Sequence, residues 1–251
     1  MFSFKADLHI HTVLSPCGDL EMSPDAIVRR ALEEKLDIIA ITDHNTTRQA
    51  KVVREIAKQF GLKVLCGAEV TTKEEAHCLA IFDDDDALDK FQNYLDEHLP
   101  NIKNDVHKFG YQVAVDANND IFFEEERLLI SALNQSVEQI EHNVHQLGGL
   151  FIPAHVDKFK NSIIQQLGFL PKDLAVDALE LTFRENPESY KIKNPYLKKY
   201  SFIQSSDAHM LNQIGTTYTF FNIEHRSIKE IKMALFQQDG RFIKNKDNCE
   251  N

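Results

Sequence analysis

The sequence predicts an α/β fold built on a parallel sheet, and three features carry that expectation. Short apolar runs alternate with amphipathic stretches along most of the chain, the rhythm of successive βα units. Several runs, IIAIT, VLCGAEV and LFIPA, are almost continuously hydrophobic, as strands covered on both faces are. Helix start and stop signals fall between the runs.

Taken in order, the expected strands occupy residues 4–10, 37–42, 63–70, 77–82, 149–154, 178–182 and 201–205. After the first, Ser23-Pro24 places an N-cap and a first-turn proline at the head of a helix running toward Lys35. Residues 47–60 are amphipathic and stop at Gly61. Residues 131–147 repeat Val137, Ile140, Val144 and Leu147 at helical spacing before Gly148-Gly149. The stretch from Asp83 to about residue 131 interrupts the alternation. It opens with Asp83-Asp84-Asp85-Asp86, read as a solvated face, and continues with a helix-like segment at 88–109 and an apolar run at 111–115. No linker composition flanks it, so residues 1–251 read as one domain with an excursion at about 83–131. The tail 245–251 is polar and reads as frayed.

The composition narrows the function classes. With 43% hydrophobic residues and only 9 Gly and 7 Pro in 251 positions, disordered and fibrous classes are excluded. Lys and Arg number 28 against 39 Asp and Glu, a net charge of −11. That balance argues against nucleic acid as a stable partner, because Lys and Arg are what displace counterions from phosphates. It leaves a phosphorylated small molecule open, since a bound metal reverses the local potential. Cys17, Cys66, Cys78 and Cys249 form no CxxC pair, which points away from a disulfide framework and toward a reducing compartment. There is no signal-peptide pattern and no apolar run near the ~18 residues that a membrane span needs. The expectation is a soluble, cytoplasmic protein without a membrane partner. Oligomeric state is not legible.

Eleven histidines are the most informative feature. His9 and His11 stand two apart in the first strand, so period-two alternation puts both on one face, within reach of one ion. Asp43-His44 closes the second strand, Glu69 lies at the end of the third, and His77 opens the run HCLAIF. His155 follows LFIPA, and Asp207 and His209 follow FIQSS. Most of these fall where a strand gives way to a polar loop, and the C-terminal ends of barrel strands converge on one mouth. Cys66 and Cys78 lie inside apolar strands and read as core, leaving a ligand set of nitrogen and oxygen that suits Zn, Mn or Fe. More than four such ligands implies more than one ion, and the two oxygens of Glu69 allow it to bridge.

The segments ADLHIHT, AITDHN, CGAEVT, IPAHVD and SSDAHM resemble the motifs of the PHP (polymerase and histidinol phosphatase) superfamily, in the family's order and over residues 6–210. The resemblance implies a distorted (β/α)7 TIM-like barrel with two or three divalent ions at the C-terminal ends of the strands. It implies that His9, His11, Glu69 and Asp207 hold one ion. Glu69 would bridge to a second, held by His77 and His155, and Asp19, His44 and His209 would take a third. Asp7 and Asp43 are expected behind the ligands, orienting imidazoles. His98, His107, His142, His145 and His225 read as surface residues.

The expected reaction is metal-dependent hydrolysis of a phosphoester, a phosphomonoester of a small molecule or nucleotide, by a metal-bridging hydroxide. His9, His11, Glu69, Asp207 and His209 would carry it, with His209 or Asp207 relaying a proton to the leaving group. Arg127, Lys158 and Arg184 are candidates to meet the substrate phosphate. No GxSxG or cysteine signature offers a covalent nucleophile. Three rivals remain at this level: an amidohydrolase-type metal hydrolase, a nuclease, and a non-catalytic metal-binding module.

Overall fold

The computed structural model describes residues 1–246. All seven expected strands form: β1 (Phe2–Ile10), β2 (Ile38–His44), β3 (Lys63–Thr71), β4 (His77–Phe82), β7 (Leu150–Pro153), β8 (Leu179–Leu181) and β9 (Phe202–Gln204). In the excursion, β5 (Val113–Val115) pairs antiparallel with β6 (Ile121–Glu124). Two further strands, β10 (Thr219–Ile223) and β11 (Phe242–Asn245), were not expected; the second includes the first residue of the tail, whose positions 247–251 lie outside the described residues.

The sheet is mixed, not parallel. Its seven strands run β11-β10-β1-β2-β3-β4-β7 and curl into a half-barrel, while β8 and β9 form a separate parallel pair. In the large sheet only the β1–β2 and β2–β3 pairings are parallel. The reversal at β4 has a simple cause. A parallel connection needs a dozen or more residues, and residues 72–76 provide only a turn, closed by Thr72 N donating to the Ala76 carbonyl at 2.8 Å. So β4 runs antiparallel to β3, with Thr71 opposite His77. This reversal brings His77, the first residue of its strand, to the end of the sheet where β1, β2 and β3 finish.

Eight helices accompany the strands among the described residues: α1 (Pro24–Glu33), α2 (Ala50–Lys58), α3 (Asp85–His98), α4 (Val106–Phe109), α5 (Val137–Gln146), α6 (Ile163–Leu167), α7 (Pro187–Lys193) and α8 (Ile228–Leu235). The expected helix at 88–109 divides because Pro100 forces Leu99 into an extended conformation, ψ 122°. The aspartate run does more than meet solvent: Asp84 caps α3 through Ala87 N at 2.9 Å, and Asp85 pairs with Arg54. The helix expected from residue 131 starts later, at Ser136, where Ser136 and Gln139 form a reciprocal capping box. No helix among the described residues is long and apolar enough to cross a membrane.

Strand alternation divides the core into two layers. Ile39, Ile41, Val64, Cys66, Cys78 and Phe82 pack with residues of α1, α2 and α3 on one side. Ile38, Ala40, Leu65, Leu79 and Ile152 pack with α8 on the other. Covering both faces is what the continuous hydrophobic runs encode.

One histidine read as superficial is tied into this frame. His145 Nε2 lies 3.0 Å from Asp177 Oδ2, the same oxygen that accepts Phe151 N at 2.8 Å. The Asp177 hydrogen bond raises the His145 pKa above its ordinary 6.5. The stabilisation is therefore fully present below pH 6.5 and is lost as pH rises through the raised folded value. Urea unfolding of His145→Gln against the parent protein should show a deficit on the order of 0.5 kcal/mol near pH 6, discounted for solvent screening, that vanishes by about pH 9. A deficit independent of pH would show that the ring contributes packing alone.

Candidate metal centre

Every side chain of the centre is delivered by an end of a strand or the loop just beyond it. His9 lies near the end of β1 and His11 just beyond it, and both are fully buried. Their outer ring nitrogens are occupied. His9 Nδ1 donates to Glu180 Oε2 at 3.0 Å; His11 Nδ1 donates to Ser15 Oγ at 3.0 Å, and Ser15 donates onward to Asp43 Oδ1 at 2.6 Å. In the neutral rings this leaves both Nε2 atoms as lone pairs, and they face each other at 3.2 Å. Glu69 stands 3.5 and 3.3 Å from the two, and Asp207 Oδ1 stands 3.3 and 3.5 Å from them.

Glu69 is the hub. Besides those two rings, its carboxylate lies 3.1 Å from His44 Nδ1, 2.8 Å from His77 Nδ1 and 3.0 Å from His155 Nε2. Its relative exposure is 1%. Burial alone would push its carboxyl up, but the imidazoles of His77 and His9 and the hydrogen bond from His11 overcome this and hold it well below the usual carboxylate range. Burial likewise opposes protonation of His9, and Glu180, Asp207 and Glu69 reverse it, raising His9 well above its ordinary value. His44 goes the other way. Burial lowers it well below, so the ring stays neutral and available as a ligand.

Two members sit on left-handed backbone that non-glycine residues rarely adopt: His155 at φ 32° and Asp207 at φ 53°. Each is held there from outside. His155 N donates to Glu180 Oε2 at 3.0 Å, and the Asp207 turn is pinned by Ser206 N on Asp7 Oδ1 at 3.0 Å and Ala208 N on the His9 carbonyl at 3.2 Å.

The expected grouping changes in detail. Ligand atoms converge as His9, His11, Glu69 and Asp207; as His44, Glu69 and His77; and as His11, Cys17 and His209. Asp19 lies beside His209, its N donating to the His209 carbonyl at 2.9 Å, but its carboxylate joins none of these groups: the residue is exposed and Oδ1 accepts Glu21 N at 2.8 Å. Cys17 stands in that region instead, so the donor set is not restricted to nitrogen and oxygen. The reason lies in the loop's path. At Gly18 the backbone presses on β1 so closely that a Cβ would sit 2.1 Å from the Thr12 carbonyl oxygen, and this close approach carries Cys17 over His11.

Asp43 does orient an imidazole, through Ser15, while also accepting Thr12 N at 2.7 Å. Asp7 binds backbone instead: Ser206 N, and Gly215 N at 2.9 Å. It positions the segment bearing Asp207 and His209. Arg127 is not at the mouth, because its guanidinium is tied to Glu125 and Asp96 within the excursion. Lys158 pairs with Asp207, and Lys158 and Arg184 both line the cleft that opens beside the centre. Glu180, Ser15 and Cys17 escaped the sequence reading. Glu180 left one signal, a charged residue inside the apolar strand ALELTF.

These residues fit divalent ions. With the His9 and His11 rings neutral, their Nε2 lone pairs and the carboxylate oxygens, 3.2–3.5 Å apart, have no donor between them and repel one another unless a cation is shared; without one, the carboxylates instead favour protonated rings. Donors about 2.1 Å from one tetrahedral ion sit about 3.4 Å from each other. His155 Nδ1 and His209 Nδ1 are also buried without a hydrogen-bond partner. Because Glu180 serves both the His9 ring and the His155 backbone, Glu180→Gln should weaken metal binding roughly 10- to 100-fold, measured by competition with a chelating dye. Unchanged affinity would assign Glu180 to the backbone alone.

Comparison with known proteins places this geometry. The PHP domain model matches residues 7–170. The 5′-3′ exoribonuclease Rnm of Escherichia coli is 40% identical over 73 residues, 28% of this chain and 24% of that protein. YqxK of Bacillus subtilis is 24% identical over 97% of this chain and 64% of its own length. Among solved structures, the lesion-specific endonuclease Q of Pyrococcus furiosus superposes with a TM-score of 0.74 at 20% identity, over 96% of this chain and 58% of that one. Endonuclease Q in complex with a 27-mer duplex carrying an abasic lesion gives a TM-score of 0.72. The chain thus spans less than two thirds of these longer relatives.

These findings overturn the expectation of a small-molecule substrate and no nucleic-acid partner, since relatives in both comparisons are nucleases and one is bound to DNA. Net charge is a poor guide to partners because a ligand meets the local field of a cleft, here lined by Lys158 and Arg184, and not the sum over the chain. The fold, the convergent cluster and the match over residues 7–170 lead to one conclusion: the chain belongs to the PHP domain family of metal-dependent hydrolases.

Proposed function

We propose that this PHP domain hydrolyses phosphodiester bonds of nucleic acid. The observation that carries the reading is the convergence of His9, His11, Glu69 and Asp207 acceptor atoms at the foot of an open cleft whose rim holds Lys158 and Arg184. In the proposed ligand set those four residues would hold one ion, and Glu69 with His44, His77 and His155 would hold a second. Cys17 and His209 flank His11 at the outer edge. Divalent ions bound there supply an activated water at neutral pH and neutralise charge on the phosphoryl oxygens.

The chain's own groups do the rest. Glu180 and the Ser15–Asp43 pair hold the His9 and His11 rings in the tautomer that presents Nε2. Lys158, now paired with Asp207, is placed to exchange that carboxylate for a substrate phosphate oxygen. Arg184 offers a second cation on the same rim. His209 stacks on His11 with ring centroids 4.2 Å apart and keeps 28% of its side chain exposed, and burial together with the neighbouring His11 lowers its pKa, so its ring stands neutral at the mouth.

Labelled single-stranded oligonucleotides and an abasic-site duplex, incubated with Mn²⁺-loaded protein, should be cleaved. Glu69→Ala and Asp207→Ala should lose at least about 100-fold in rate together with bound metal, by elemental analysis. Protein that cleaves phosphomonoesters but no oligonucleotide would overturn the reading.

A further inference from the structure

The cleft beside the centre has a volume of about 490 Å³, within the usual range for a ligand pocket. Its buried wall is made by His155, Glu180 and Asp207, and its exposed rim by Lys158, Phe159, Phe183 and Arg184. The two phenylalanines are 81% and 69% exposed, whereas Phe151, a few residues before Phe159, is fully buried. Phe159 follows β7 four positions after His155, and Phe183 lies two positions past the end of β8. Both therefore stand at the same mouth as the ligands. The Arg184 guanidinium lies 5.5 Å from the Phe183 ring centroid, so this ring already presents a face to a planar cation.

Such a rim has no packing role, since neither ring enters the core. An aromatic pair left in water beside cations and a phosphate-directed metal cluster matches one kind of occupant: an unpaired nucleobase attached to the phosphate being cleaved. The phosphate charge is complemented by Lys158 and Arg184, and the flat apolar base by the rings. A base inside a duplex offers no free face, so the same rim would act only on single strands or on a base turned out of the helix. We propose that Phe159 and Phe183 form an aromatic rim that stacks on an unpaired nucleobase next to the scissile phosphate. This assignment rests on the nucleic-acid reading of the site.

The test uses the full chain, metal-loaded, and a single-stranded DNA containing 2-aminopurine, whose fluorescence is quenched by stacking. The parent protein should quench it. Phe159→Ala and Phe183→Ala should each weaken binding about tenfold, the double variant more, and Phe183→Tyr should retain it. Hydrolysis of an oligomer of abasic deoxyribose phosphate should be the same in all of them, and equal metal content shows that the variants are folded. Unchanged quenching and affinity in the double variant overturn the rim while leaving nuclease activity standing. A parent protein that cleaves no oligonucleotide overturns the nucleic-acid reading; if it also fails to quench the probe, it overturns the rim as well.

Discussion

A buried carboxylate surrounded by five imidazoles is the constraint on which the rest of the molecule depends. Glu69 is almost wholly removed from water, and an isolated ionised carboxylate there would carry a heavy desolvation cost. His9, His11, His44, His77 and His155 all stand within 3.5 Å of it. Glu180 and Ser15 occupy the outer nitrogens of His9 and His11, so in the neutral rings the Nε2 atoms face inward as acceptors. A cluster of acceptors is repulsive by itself and strongly attractive to a divalent cation. A divalent cation held there would relieve that repulsion.

The sheet is shaped to hold that cluster. Three parallel strands bring His11, His44 and Glu69 to one edge, and the reversed β4 adds His77 from its starting end. The remaining members come from turns. His155 and Asp207 occupy left-handed backbone, and Glu180 and Asp7 hold those turns with side-chain acceptors bonded to backbone N–H groups. Strain at ligand positions is thus offset by hydrogen bonds made one layer further out, which keeps the donor atoms aimed before any ion arrives.

Charge is organised locally, not globally. The chain is strongly acidic, yet much of that acid is used in pairs: Asp83 with Lys63, Asp85 with Arg54, Asp96 with Arg48 and Arg127. These pairs tie the excursion to β3, to α2 and to the loop before α2, and Asp96 to Arg127 within the excursion. At the cleft the rim carries Lys158, Arg184 and two solvent-facing phenylalanines.

Much of this was legible in the amino-acid order, and the boundary is physical. Strand positions followed from apolar periodicity, which is local, and His9 with His11 followed from the two-residue repeat of a strand. The gathering of His44, Glu69, His77, His155 and Asp207 was foreseeable because the ends of strands in such a sheet must meet. Strand direction was not so readily seen, although the short turn before His77 encoded it. What only the tertiary structure decided were contacts made across the sequence by loops. Cys17 reaches His11 because Gly18 lets the backbone close on Thr12, Asp19 turns to cap its own loop, and Glu180 finds His9 from 171 residues away. No periodicity reports such pairings, since they depend on how three-dimensional turns pack and not on which residues are neighbours in the chain.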